Sequence, residues 1–210
     1  MLTPNVVRWY RLLLGALTFL AIWAQIINGQ LNGHFNAVNF FSFFTIESNV
    51  LAAVIFWIGG FGFRQKWLQS ERFAMFRGAA AVYMATTGIV YVLLLAGITK
   101  ELQTTLPWVN FVLHYLMPLA VVVDWFVVPP QRKITFSQSV WWLAFPLAYV
   151  TYTLLRGPGA NWYPYPFLNP GADQNYAAVG GYSIGIAVLI MVLSYIVRLR
   201  VGANSVPKRR

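Results

Sequence analysis

The sequence predicts an all-α polytopic membrane protein: six transmembrane helices in one bundle, with both termini in the cytoplasm. Three observations lead there. Hydrophobic residues make up 59% of the 210 and charged residues only 10%, where an average soluble domain carries roughly 25% charged. Six apolar stretches are long enough to cross a hydrocarbon core, which takes about 20 helical residues each. Thirteen of the fifteen lysines and arginines fall on one side of those stretches.

The first stretch, 9–28, follows Arg8 and Arg11 and has the charge order of a secretory signal. "LLLGALTFLAIWAQIING" is too long for one, and no A-x-A cleavage site follows, so it reads as a span. The second, 41–63, is an aromatic stretch into which Thr45, Glu47, Ser48 and Asn49 crowd. A charge at the centre of a membrane helix costs about 2.5–3.5 kcal/mol on insertion scales, so such residues line a bundle interior or a cavity. The third runs over 76–98. The fourth, 106–128, carries Asn110, His114 and Asp124. The fifth, 138–156, is the shortest and contains Pro146. The sixth, 176–198, contains "GYSIG", a small-xxx-small spacing suited to close helix packing. It is not a G-x-S-x-G nucleophile elbow, which needs a preceding strand. No soluble domain fits between the spans, so residues 1–210 form a single domain. The two halves show no convincing repeat of the kind many transporters carry.

Charge distribution sets the orientation. Arg8 and Arg11, then Arg64, Lys66, Arg72 and Arg77, then Arg132 and Lys133, then Arg198, Arg200, Lys208, Arg209 and Arg210 all fall at one side. Only Lys100 and Arg156 lie opposite. The positive-inside rule places the basic side in the cytoplasm. The net charge of +10 is therefore a topology signal aided by anionic headgroups, and not a nucleic-acid footprint. With no cysteine and two histidines, thiolate chemistry is excluded and no metal site or cofactor is expected. His34 falls in the first outer loop and is expected to be solvated.

Spans two and four run in the same direction. Thr45 lies about one turn into its span, and His114 lies eight residues after Leu106, roughly 12 Å along its helix. Thr45, Ser48 and Asn49 share one face, and Asn110 and His114 share another, by i,i+3 and i,i+4 spacing. Two polar faces at similar depth are expected to meet. A threonine hydroxyl becomes a nucleophile when an imidazole accepts its proton, so Thr45 and His114 are the candidate catalytic pair. Ser48, Asn49 and Asn110 are candidate substrate-binding or oxyanion donors. The same residues also suit plain helix-to-helix hydrogen bonding. Glu47 points away from Thr45's face and is expected to form a structural ion pair with Arg156, or to stay protonated. Asp124 is about 15 Å beyond His114 and is expected to pair with Arg132, Lys133 or a tail arginine. In the fifth-to-sixth connection, Gly157, Pro158 and Gly159 are expected to break the helix after Arg156. Trp162, Tyr163, Tyr165 and Phe167 then form either an interfacial belt or a lid over a cavity.

"FFT" at 43–45, "NFVLH" at 110–114 and "WYPYPFL" at 162–168, in that order, resemble the androgen-induced-protein family of transmembrane threonine hydrolases and its bacterial six-span relatives. The resemblance implies Thr45 as nucleophile and His114 as general base. It implies membrane lipids as partners and a lipophilic ester substrate, the fatty acid esters of hydroxy fatty acids, and a location in the bacterial cytoplasmic membrane. "TIESN" is more polar than the matching animal segments, and "FLNP" lacks the acidic residue that animal members carry after the loop motif. Two other classes compete with the hydrolase: a small lipid or solute transporter or receptor that binds through the same polar pocket, and a structural partner subunit.

Overall fold

A computed structural model of the protein describes residues 3–33, 35–62, 65–97, 106–171 and 175–200. His34, Arg64, Lys100 and the tail basic residues Lys208, Arg209 and Arg210 lie outside the described residues. No strand occurs among those described.

The chain opens with α1, Pro4–Leu31. Pro4 occupies the first turn, where a missing N–H costs nothing. A short α2, Ala37–Phe41, is capped by Asn36, whose side chain accepts from Asn39 N–H. The chain then breaks before α3, Phe44–Phe61, so the expected span starting at 41 begins three residues later. Ser42 is the cause. Its hydroxyl turns back to Val38 O at 2.6 Å, while Tyr149 OH donates to Ser42 O at 3.0 Å and removes that carbonyl from any continuing helix.

α4, Glu71–Val90, starts five residues before the apolar stretch because Ser70 accepts from Phe73 N–H and caps it there. It continues into a π turn at Tyr91–Leu95. α5, Pro107–Phe111, a second π turn at Val112–Leu116, and α6, Met117–Val127, form one rod. α7, Phe136–Val140, a 3-10 turn at Trp141–Leu143, and α8, Ala144–Ala160, follow. α9 is Tyr176–Leu199, capped by Asn175 accepting from Ala178 N–H.

Among the described residues, five helices are long and apolar enough to cross a membrane: Pro4–Leu31, Phe44–Phe61, Glu71–Leu95, Pro107–Val127 and Tyr176–Leu199. The expected fifth span differs. Its segment is divided by the 3-10 turn, and Pro146 falls in the first turn of α8, where its absent N–H is tolerated. α8 then runs through Gly157, Pro158 and Gly159 to Ala160, so those residues do not break it after Arg156 as expected. It ends where Asn161 takes a left-handed conformation with φ 46°.

α4 is central, packing against α3, α6 and α9, while α1 lies along α3. Glycines set the closest approaches. A Cβ at Gly15 would meet Trp57 at 2.6 Å, and one at Gly78 would meet Trp142 at 2.3 Å. At one end of the bundle, buried Asp124 receives Arg11 Nε at 2.7 Å and Arg77 Nη2 at 2.7 Å, with Tyr10 OH as a third donor. Asp124 therefore joins α1, α4 and α6, and its expected pairing with Arg132, Lys133 or the tail gives way to helix partners. Buried carboxylates persist where hydrogen-bonded countercharges meet them, and Arg11 and Arg77 are the ones within reach.

Candidate active site

Thr45 sits in the first turn of α3, where backbone N–H groups have no helical acceptor. A side chain from elsewhere supplies one: Tyr165 Oη accepts from Thr45 N at 3.2 Å. The same oxygen lies 3.2 Å from Thr45 Oγ1. Burial pushes the Tyr165 phenol up to about 12, so at neutral pH it is a hydroxyl rather than a phenolate. That oxygen accepts from the amide, and between the two hydroxyls either can donate to the other.

One turn on, the expected polar face is present and fully enclosed. Ser48 Oγ donates to Thr45 O at 3.2 Å and meets Thr87 Oγ1 at 3.0 Å. Asn49 Nδ2 donates to Thr45 O at 2.8 Å and to Leu113 O at 3.0 Å. An amide nitrogen has two protons, and both are committed. Asn49 is thus a strut between α3 and the rod carrying His114, with no proton left for an oxyanion. Its Oδ1 has no hydrogen-bond partner among the described residues.

His114 lies within the π turn Val112–Leu116 and is buried. The wider turn leaves backbone carbonyls off the regular ladder, and Leu113 O takes Asn49. His114 Nδ1 is 3.2 Å from Asn110 O. A carbonyl only accepts, so Nδ1 carries the proton and Nε2 is the basic nitrogen of the neutral ring. The ring stacks on Tyr91, centroids 4.0 Å apart and planes at 24°. Asn110 Nδ2 donates to Tyr91 OH at 2.6 Å. Two π turns therefore face each other through Tyr91 and His114. No hydrogen bond joins Thr45 to His114 among the described residues; Asn49 and the chain neighbour Leu113 are what connect them.

A cavity of about 220 Å³ opens beside Thr45. Phe44, Val90, Leu147, Ile186 and Ile190 make it apolar, and Thr45, Thr87 and Tyr165 supply hydroxyls in its wall. His114 is not among the described residues that line it.

The aromatic loop folds inward. Tyr165 and Phe167 are buried and stacked at 5.2 Å with planes 6° apart, while Trp162 and Tyr163 are half-buried. Phe43 receives the edges of both Trp162 and Tyr165, at 5.5 and 5.6 Å. Tyr165 and Phe167 line the cavity beside Thr45.

The expected pair of Glu47 with Arg156 is absent. Arg156 donates to Asn39 Oδ1 and lies 5.3 Å over the Trp162 ring. Glu47 faces the opposite side of α3 from Thr45, and its Oε2 has no hydrogen-bond partner among the described residues. The helical offset that separates i from i+2 turns it toward a groove that Arg156 does not line.

Tyr91, Thr87 and the hydroxyl role of Tyr165 are not foreseen in the sequence. Tyr91 lies in the apolar run "GIVYVLLLAG", where Thr87, one turn before it, is the polar neighbour on its face. Comparison with protein-family models, with curated proteins and with solved structures gave no match. The five long apolar helices among the described residues have the length and composition of membrane spans.

Proposed function

We propose that the chain is an intramembrane hydrolase of lipophilic carboxylic esters, with fatty acid esters of hydroxy fatty acids as the substrate class implied by the resemblance. In this reading the segment 138–156 is the fifth of six spans and both termini are cytoplasmic, in a bacterial cytoplasmic membrane. The observation that carries it is Thr45 Oγ1 in the wall of an apolar cavity, 3.2 Å from a phenol.

Thr45 Oγ1 attacks the acyl carbon while its proton passes to His114 Nε2 through one bridging water, a route general bases use. The carbonyl oxygen becomes an oxyanion, for which Tyr165 O–H is the donor in place of Asn49. Collapse expels the alkoxide of the hydroxy acid, which takes the proton from His114. Water then hydrolyses the acyl-threonine, giving the second acid and restoring Thr45. Threonine's restricted χ1 keeps the oxygen aimed.

A second reading, a carrier or receptor for lipophilic molecules, is favoured by one observation: Thr45 and His114 share no hydrogen bond. A fluorophosphonate separates the two. The hydrolase reading expects stoichiometric labelling at Thr45, strongly reduced labelling in a folded His114→Ala protein, and none in Thr45→Ala. Hydrolysis at the wild-type rate by well-folded Thr45→Ala would exclude Thr45 as nucleophile. Reporter fusions in 157–170 are expected on the non-cytoplasmic side, and a cytoplasmic signal there would reverse the orientation.

A further inference from the structure

On the face of α3 opposite Thr45 lies a second concavity, an open groove of about 780 Å³ between α3, α4 and the Trp141–Phe145 segment. Its walls are aromatic: Phe41, Phe76, Tyr83, Trp141, Trp142 and Phe145. Several of these are locked. Trp142 Nε1 donates to Met75 O at 3.0 Å, Tyr83 OH donates to Trp142 O at 2.9 Å, and Gly78 leaves room for the Trp142 ring. The Phe44 ring, stacked on Phe145 at 5.4 Å and set edge-on to Tyr83 at 6.0 Å, partitions this groove from the cavity beside Thr45. One carboxyl side chain lines the groove: Glu47. Its Oε2 accepts no hydrogen bond among the described residues, and no lysine or arginine is among those that line the groove.

We propose that this groove binds a single-chain amphiphile with an alkylammonium head, the ammonium on Glu47 and the tail along the aromatic walls. An isolated carboxylate in an apolar setting is costly until a cation meets it. Aromatic faces attract the same cation through their quadrupoles and gain when water is excluded. A phospholipid headgroup fits less well. Its phosphate would sit within a few bonds of the ammonium, close to Glu47, with no basic side chain in the groove to receive it. The site stands apart from the proposed hydrolase chemistry and does not depend on it.

The probe is an ω-bromoalkyl-trimethylammonium, whose bromine quenches tryptophan on contact. It is titrated into the full chain in maltoside micelles at mildly alkaline pH. Saturable quenching is expected in the wild type, reduced in amplitude by Trp141→Phe, which places the probe in the groove. Affinity is expected to fall about tenfold or more in Glu47→Gln, the scale of losing one well-placed charge contact. The neutral tert-butyl analogue, which keeps head shape and tail, is expected to bind the wild-type protein correspondingly more weakly; this arm needs no variant to fold. Equal binding of the neutral analogue, unchanged affinity in Glu47→Gln, or quenching without saturation would each overturn the proposal. Displacement of the probe by phosphatidylcholine added to the micelles would overturn it as well, by assigning the groove to bulk lipid.

Discussion

Tyr165 serves Thr45 through a single oxygen, accepting the backbone N–H and contacting the hydroxyl, both at 3.2 Å. Its ring is held independently, stacked on Phe167 and set against Phe43. Tyr165→Phe therefore removes the O–H while leaving the lid packed. The change also leaves the buried Thr45 N–H without its acceptor, which destabilises by about 1–3 kcal/mol. If the phenol supports an oxyanion, turnover of a long-chain ester should fall by about 10²-fold or more. Rate and melting measured side by side separate the two roles: a folded variant with undiminished turnover has no need of Tyr165 in the reaction. Asn49 shows why residue type alone misleads. Its amide looks suited to an oxyanion, yet both its protons hold carbonyls of two different helices. Its effect on Thr45 and His114 is one of position.

At the scale of elements, two features aim the site: the π turns and the lid. The alignment of Thr45, Ser48 and Asn49 was legible from i,i+3 and i,i+4 spacing, as was the shared face of Asn110 and His114. The π turns were not, because no residue pattern in "YVLLL" or "VLHYL" distinguishes them from regular helix. The Arg77 contact with Asp124 was hidden for a related reason. Hydropathy begins the third span at 76 and leaves Arg77 at a span end, whereas the Ser70 cap carries the helix back to Glu71 and buries Arg77 within it. The lid depends on Gly157, since a Cβ there would lie 2.0 Å from Tyr163 Cε1 and 2.7 Å from its hydroxyl. Gly157→Ala is expected to displace the Tyr163 ring and destabilise the lid by about 1–3 kcal/mol, the usual range for overpacking. Hydrogen exchange should quicken over 161–169 and stay unchanged in α3 and α4. Uniform quickening along the chain would show that Gly157 supports the whole bundle instead.

For the molecule as a whole, the end of the bundle opposite the lid is tied by one carboxylate and two guanidiniums. Arg11 reaches Asp124 through Nε at 2.7 Å and Nη2 at 3.0 Å, and Arg77 through Nη2 at 2.7 Å. Arg77 also donates to Val128 O at 2.7 Å and lies 5.5 Å over the Trp125 ring. The formal charges of the three groups leave one positive charge unbalanced, so the members are not equivalent. Removing Arg77 leaves Arg11 and Asp124 as a neutral pair. Removing Asp124 leaves two buried guanidiniums facing each other with no anion between them. Breaking a buried pair by deleting one partner costs about 3–5 kcal/mol, mostly because the other charge is stranded. Asp124→Asn, which keeps shape and some hydrogen bonding, is therefore expected to lower stability by that order, and by more than Arg77→Met, whose apolar stem still covers Trp125. Thermal melting of both variants in the same detergent gives the comparison. If Arg77→Met is the more damaging, the cluster is held by Arg77's contacts to Val128 O and Trp125, and charge balance at Asp124 is not what joins α1, α4 and α6.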